Sequence, residues 1–258
     1  LIIRLSALGD VLRTLPAFKA IRNHYPNDFI SWAVEELSSP ILQANPDIDE
    51  VLVFPKKSIL KKLKSRKEFF NGIKEFFNFL TVVKSRNFDL VIDFHGLFKS
   101  GIISYATRAQ DRIGFAAAYS KEFNFLFNKT RYALKTDQIS RIRRNLELVE
   151  KMGLNTAYAE PFIFIPDKDR EKIDRFFKQH QIDRKRPVIA LHPGTSPDTL
   201  YKRWESYRWA VVADKAIADH AAQVIFTWAG HEIEMVKEIT SLMKYRAVVA
   251  PETDNICQ

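Results

Sequence analysis

The segment that most narrows the fold is residues 89–94, DLVIDF. A strand with an unbroken apolar centre is buried on both faces, which happens in parallel sheets covered by helices. The same apolar signature returns at residues 1–5, 29–34 and 51–54, and less strongly at 112–115. Helical spacing lies between these runs. Val11, Leu12, Leu15, Phe18 and Ile21 mark one helix, with further helices expected at about residues 58–83, 97–107 and 137–152. Pro16 either kinks the first of these or sits in its first turn, with Thr14 as the cap.

The alternation starts again after a polar, basic stretch at residues 178–186. Strands are expected at 187–191, 222–228 and 246–250, and helices at 204–219 and 232–243. The pattern predicts two α/β units with parallel sheets, residues 1–180 and 187–258. The chain opens without Met on what reads as the middle of a strand, and its second unit shows only three strands. A longer parent protein is the expectation.

Charge and cysteine content set further limits. Lys and Arg outnumber Asp and Glu 40 to 31, for a net charge of +9, which favours anionic partners. Cys257 is the only cysteine, so no internal disulfide forms and a reducing compartment is expected. No apolar run approaches the ~18 residues of a membrane span.

In open parallel sheets ligands bind beyond the carboxyl ends of strands, and three such loops carry unusual residues. In Ser6-Ala7-Leu8-Gly9-Asp10, Gly9 permits a sharp turn and Asp10 stands at a helix start, as a helix cap or as a group facing a ligand. The lack of further glycines excludes a dinucleotide fingerprint. In His192-Pro193-Gly194-Thr195-Ser196, followed by Lys202-Arg203-Trp204, two hydroxyls and two cations near a helix start suit a phosphate cradle or a solvated loop. In Trp228-Ala229-Gly230-His231-Glu232, the Glu232 carboxylate suits ribose hydroxyls or a plain first-turn position. Residues 56–67 hold seven Lys or Arg and no acid, with Ile59, Leu60 and Leu63 as an apolar stripe. That is a basic amphipathic helix for phosphates or an anionic lipid surface, or a solvated face. The six histidines lack metal-ligand spacing, the four tryptophans read as core, and no zinc, RRM or helix-turn-helix signature supports nucleic-acid binding.

Taken together, the loops resemble glycosyltransferase family 9, the heptosyltransferases of the lipopolysaccharide inner core. The opening LIIRLSALGDVLRTLPAFKAIRNHYP is similar to the family's first strand, S-x-x-G-D loop and helix. FDLVIDFHGLFKSG resembles its D-x-Q-G-L-x-K-S segment, and LHPGTSPDTLYKRW its second-domain nucleotide loop. SWAVEE and RIGFAAAYSKEFNFLFNKTRY look most like the heptosyltransferase I branch.

The resemblance implies a GT-B fold of two Rossmann-like domains that close on each other. It implies inverting transfer of heptose from ADP-heptose to Kdo of lipid A, with no metal and no cofactor, by a cytoplasmic enzyme peripheral to the inner face of the inner membrane. On that pattern Asp10 is the catalytic base, and Lys202 meets the leaving diphosphate together with Gly194, Thr195 and Ser196. Glu232 contacts the nucleoside. Lys61, Lys62, Lys64 and His95 face the acceptor, His95 standing where many relatives carry Gln. The family's D-T-G-x-x-H phosphate loop is expected beyond Gln258. The competing readings are a family-9 transferase with another donor or acceptor and a basic nucleic-acid-binding protein.

Overall fold

The computed structural model describes residues 1–136, 138–157, 163–195 and 197–253. The chain divides into two compact units, Leu1–Phe164 and Ile165–Gln258.

The first unit is a six-stranded parallel sheet in the order β3-β2-β1-β4-β5-β6. Its strands are β1 (Ile2–Ile3), β2 (Ser31–Glu35), β3 (Glu50–Phe54), β4 (Leu90–Asp93), β5 (Asp111–Phe115) and β6 (Thr130–Tyr132). The helices between them are α1 (Leu8–Leu12), α2 (Leu15–His24), α3 (Ser39–Gln43), α4 (Lys56–Lys64), α5 (Phe69–Ser85), α6 (Phe98–Ala106) and α7 (Arg141–Lys151). This is the Rossmann strand order. β1 pairs with β2 on one side (Ile3 with Ala33) and β4 on the other (Ile3 with Asp93). Its ladder runs on past Ile3, since Arg4 N donates to Ala33 O and Glu35 N to Leu5 O.

Alternation along the central strands decides which helix covers which face. Leu1, Ile3 and Leu5 point to the side where Ile59 of α4, Phe79 and Val83 of α5 and Ile103 of α6 close a dry core. Burial of such side chains contributes about 1.5–3 kcal/mol each. Trp32 faces the other way and meets Phe18 of α2 edge-on, with ring centroids 5.6 Å apart. α7 packs beside α2 there.

Two local outcomes differ from the periodicity, and one choice that it left open is resolved. The stretch expected as one helix over 58–83 is a hairpin of α4 and α5, broken where Ser65 takes extended backbone. Gly72 permits the close packing of that hairpin, since a Cβ there would lie 3.1 Å from the Lys62 Cβ. Pro16 does not kink a helix: Thr14 precedes α2 and the proline occupies its first turn. β6 went unforeseen because Thr-Arg-Tyr is too short and polar to announce a strand.

In the second unit β7 (Val188–Leu191), β8 (Gln223–Phe226) and β9 (Val248–Val249) form a parallel sheet in that order. α8 (Asp167–Gln179) precedes the sheet and belongs to this unit, so the division falls at Phe164/Ile165 rather than at residues 180–187. α9 (Ser206–His220) and α10 (Ile233–Leu242) pack on the sheet through Ala210, Ala213, Val236 and Ile239. Trp204 departs from the core expectation: it is 52% exposed and touches Trp209 at its edge.

Candidate active site

The strand order reverses between β1 and β4, because the chain leaves β1 through α1 and α2 on one face and β4 through α6 on the other. A crevice must open at the carboxyl ends of these two strands. A cavity of about 590 Å³ lies there, lined by Arg4, Ser6 and Asp10 after β1, His95 and Gly96 after β4, and Ser120, Lys121, Arg141 and Arg144 from later segments.

Asp10 is not the helix cap. Ala7 holds that position, and no side chain caps α1. The Asp10 carboxylate instead accepts from Arg4 at 2.7 Å and Arg13 at 3.1 Å, with Arg141 at 3.5 Å. Partial burial pushes its pKa up, but Arg4, Arg141 and the hydrogen bonds from Arg13 outweigh that and hold it below the usual carboxylate range. Asp10 is therefore an ionised acceptor at neutral pH, the state a general base needs.

Arg4 is one of the residues that sequence reasoning missed. It is 7% exposed in an otherwise apolar strand, and a lone cation inside such a run was the available signal. Its guanidinium donates to Phe94 O at 2.6 Å as well as to Asp10. Arg144 stacks 4.2 Å over the Phe115 ring and donates to Tyr119 O. Asn145 ties α7 to the α1–α2 junction by donating to Arg13 O and Thr14 Oγ1.

The β4 side of the cavity is held by Asp93, which is fully buried. One carboxylate oxygen accepts from the His95 and Gly96 amides, and the other from Ser100 Oγ at 2.9 Å and Asn124 Nδ2 at 2.7 Å. Burial pushes its pKa up, and these four donors pull it part of the way back. The clamp fixes the turn that presents His95. Burial first, then Arg4 and Lys99, lower the His95 pKa to about 3, so the ring is neutral.

The unsatisfied groups mark the place. Among the described residues, five buried side-chain polar atoms lack a partner: Arg4 Nε, both ring nitrogens of His95, Ser120 Oγ and Trp209 Nε1. The first four belong to residues that line this one cavity. Buried polar groups are nearly always paired, so such a concentration fits a wall that hydrogen-bonds to a ligand.

The lysines of the basic run stand elsewhere. Lys61, Lys62 and Lys64 lie on α4, away from the cavity lining, and Lys62 pairs with Glu75 at 2.9 Å. Lys56 and Lys99 clamp the buried Glu35 at 2.8 and 2.5 Å, joining α4 and α6 to the end of β2.

The second unit gathers a smaller cluster. Thr195 Oγ1 accepts from Arg203 Nε at 3.0 Å, and Thr195 O from the same guanidinium at 2.8 Å. Glu232 accepts from the Ala229 amide and lies 3.5 Å from His192 and 3.9 Å from Arg203. Gly194 makes room for it: a Cβ there would sit 2.1 Å from the Glu232 carboxyl. Gly194, Thr195 and Glu232 are thus together, with Arg203 as the cation that binds them. Lys202 is exposed, its ammonium 5.6 Å from the Tyr201 ring centroid. Ser196 lies outside the described residues.

Comparison with known proteins adds the lineage. Residues 77–254 match the family Glycosyltransferase family 9 (heptosyltransferase). The lipopolysaccharide core heptosyltransferase OpsX of Haemophilus influenzae is 27% identical over 248 residues, covering 95% of this chain and 64% of its own length. Further relatives carry the names heptosyltransferase 1, 2 and 3. Among solved structures, a family 9 glycosyl transferase from Veillonella parvula superposes with a TM-score of 0.77 at 21% identity, over 96% of this chain and 67% of that one. Escherichia coli heptosyltransferase WaaC with ADP gives 0.74 at 21% identity, over 99% and 75%. The chain therefore spans about 60 to 75% of the length of these proteins, and its fold is that of the solved structures. The chain belongs to glycosyltransferase family 9, the heptosyltransferase family.

Proposed function

We propose that the chain serves an inverting transfer of heptose from ADP-heptose to Kdo of lipid A in lipopolysaccharide core synthesis, at the cytoplasmic face of the inner membrane. The observation that carries this reading is the concentration of unpaired polar groups around an ionised Asp10 at the reversal point of the sheet. Arg4, Lys121, Arg141 and Arg144 line the cavity, and Asp10 is the one carboxylate among its described lining residues, so the cavity is cationic and suits an acceptor with its own carboxylate, as Kdo has. Asp10 takes the proton from the attacking hydroxyl, help worth about 10²–10⁴-fold. Neutral His95 offers one donor and one acceptor to sugar hydroxyls.

The donor belongs to the second unit in this reading. The Gly194–Thr195 loop and Arg203 hold the diphosphate region, Ser196 adds a hydroxyl, and Glu232 serves the nucleoside. Lys202, unattached to any carboxylate among the described residues, meets the charge that grows on the departing phosphate. The reading needs no metal, because these cations carry that role.

The test is transfer by Asp10→Ala and Lys202→Ala in a chain of full family length, with donor affinity measured alongside. Loss of turnover at unchanged donor affinity is expected for Asp10→Ala; wild-type transfer would remove the base assignment. A panel of acceptors decides between Kdo and a heptosylated core sugar, since relatives of all three types match.

A further inference from the structure

One arginine of the Asp10 cavity is left without an anion. Arg4, Arg13 and Arg141 share Asp10, and Arg143 pairs with Glu150. Arg144, half-buried on α7, pairs with no carboxylate among the described residues. Its guanidinium lies over the Phe115 ring and donates to Tyr119 O. Burial first, then Arg4 and Arg141, push its pKa down, and only Asp10 acts against them. An arginine keeps its charge all the same, and a charge withdrawn from water is costly until an opposite charge meets it.

Donors without partners stand beside it. Ser120 Oγ and Arg4 Nε are both buried and unpaired. Gly96 fixes the neighbourhood: a Cβ there would lie 3.8 Å from Ser120 Cα and 3.9 Å from Arg144 Nη2. The segment bearing Ser120 is strapped to the turn between β4 and α6. Lys121 N donates to Gly96 O at 2.9 Å, and Glu122 accepts from the Phe98 amide at 3.2 Å. Glu122 and Phe123 stand in the left-handed region, with φ of 53° and 57°, which residues other than glycine resist. The strap tolerates that strain and holds Ser120 against Gly96 and Arg144.

The chemistry of the set names its ligand. Arg144 and Arg4 Nε only donate, and the Ser120 hydroxyl can donate. Donors around an unanswered positive charge take an oxyanion. With one flat face on Phe115, Arg144 keeps its edge for a ligand, and guanidinium edges meet the two oxygens of a carboxylate in parallel bonds.

We propose that Arg144, with Ser120 Oγ and Arg4 Nε, grips the carboxylate of an acidic acceptor sugar and makes the cavity discriminate against neutral ones. This deepens the acceptor reading of the Asp10 cavity and rests on it. Arg4 then stands between two anions, Nη2 on Asp10 and Nε on the acceptor. One guanidinium thereby sets the position of the sugar relative to the base.

NMR titration of the purified chain tests the grip, with the methyl glycoside of Kdo against its neutral carboxamide, read at the Gly96 amide. The acid should bind about tenfold tighter than the amide, or more. Arg144→Met keeps an apolar stem over Phe115 and should bring the two ligands within about twofold, with the affinity for the amide unchanged. Ser120→Ala should narrow the preference by about threefold. The ratio is the readout, because a merely structural defect weakens both ligands together. Circular dichroism confirms folding, and if Arg144→Met does not fold, an unchanged preference in Ser120→Ala overturns the proposal. Equal binding of acid and amide by the parent chain, or a preference that survives Arg144→Met, also overturns it and leaves the acceptor reading standing. Binding of neither ligand removes both. Failure of the Asp10 base assignment would leave the measured preference in place.

Discussion

The two units hold their charges in opposite ways. In the first, Asp10 is engaged by Arg4, Arg13 and Arg141 before any ligand arrives, and Asp93 fixes the turn that carries His95. In the second, Arg203 and Glu232 steady the Gly194–Thr195 loop, while Lys202 rests exposed over Tyr201. The contrast fits the demands of the proposed transfer. A base must be in the right ionisation state before the acceptor binds, which calls for preorganised neighbours. A cation that answers charge on a leaving group acts only once that group is present, so it gains little from an earlier partner.

Substitutions in the two units should therefore separate cleanly. The largest effect is expected from Asp10→Asn, which should lower kcat about 10²–10⁴-fold while donor affinity by calorimetry stays within about twofold. Lys202→Ala should lower both turnover and donor affinity, each by about ten- to a hundredfold, as loss of a charge-assisted contact does. A Lys202 variant that changes turnover alone would erase the proposed division of labour. Gly194→Ala should weaken the donor by about tenfold, because the new methyl displaces the Glu232 carboxyl at a cost of about 1–3 kcal/mol. Its acceptor affinity should be that of the parent chain.

Acid sensitivity gives the smallest and most local effect. The Asp10 pKa is lower folded than unfolded, so its ion pairs add stability fully above the ordinary value of 3.8, and that stability is lost as pH falls through the depressed folded value. Asp10→Asn should lack this contribution near neutrality and lose less stability than the parent chain in acid, read by chemical denaturation at pH 7 and pH 3. The acid limb of kcat/KM should lie below the usual carboxylate range. A limb near pH 6.5 would instead point to a histidine base, against a His95 ring whose pKa is about 3.

Much of this architecture is visible in the residues alone. Unbroken apolar strands such as 89–94 and the turn at Gly9-Asp10 place a site at the end of β1 before any coordinate is known. The strand order explains why a crevice opens at that end, and it is a long-range pairing that periodicity does not encode. Arg141 and Arg144 were illegible for the same reason: they lie some 130 residues from Asp10 and reach the cavity only because α7 packs on α2. Spacing could not tell a helix cap from a ligand-facing carboxylate, since both put Asp after a glycine turn. The difference is three positions, with Ala7 as the cap and Asp10 third in the helix. The lysine run showed itself as a basic amphipathic helix. Its hairpin with α5 was hidden, because a break at Ser65 costs nothing in hydrophobic pattern.

The most direct test is a crossed binding measurement on a chain of full family length, titrating a soluble Kdo acceptor and ADP separately into Arg141→Ala and Lys202→Ala. Arg141→Ala should weaken the acceptor about tenfold or more and leave ADP unchanged, and Lys202→Ala should do the reverse. Equal loss of both ligands in either variant, or acceptor affinity untouched by Arg141→Ala, would contradict the assignment of the Asp10 cavity to the acceptor.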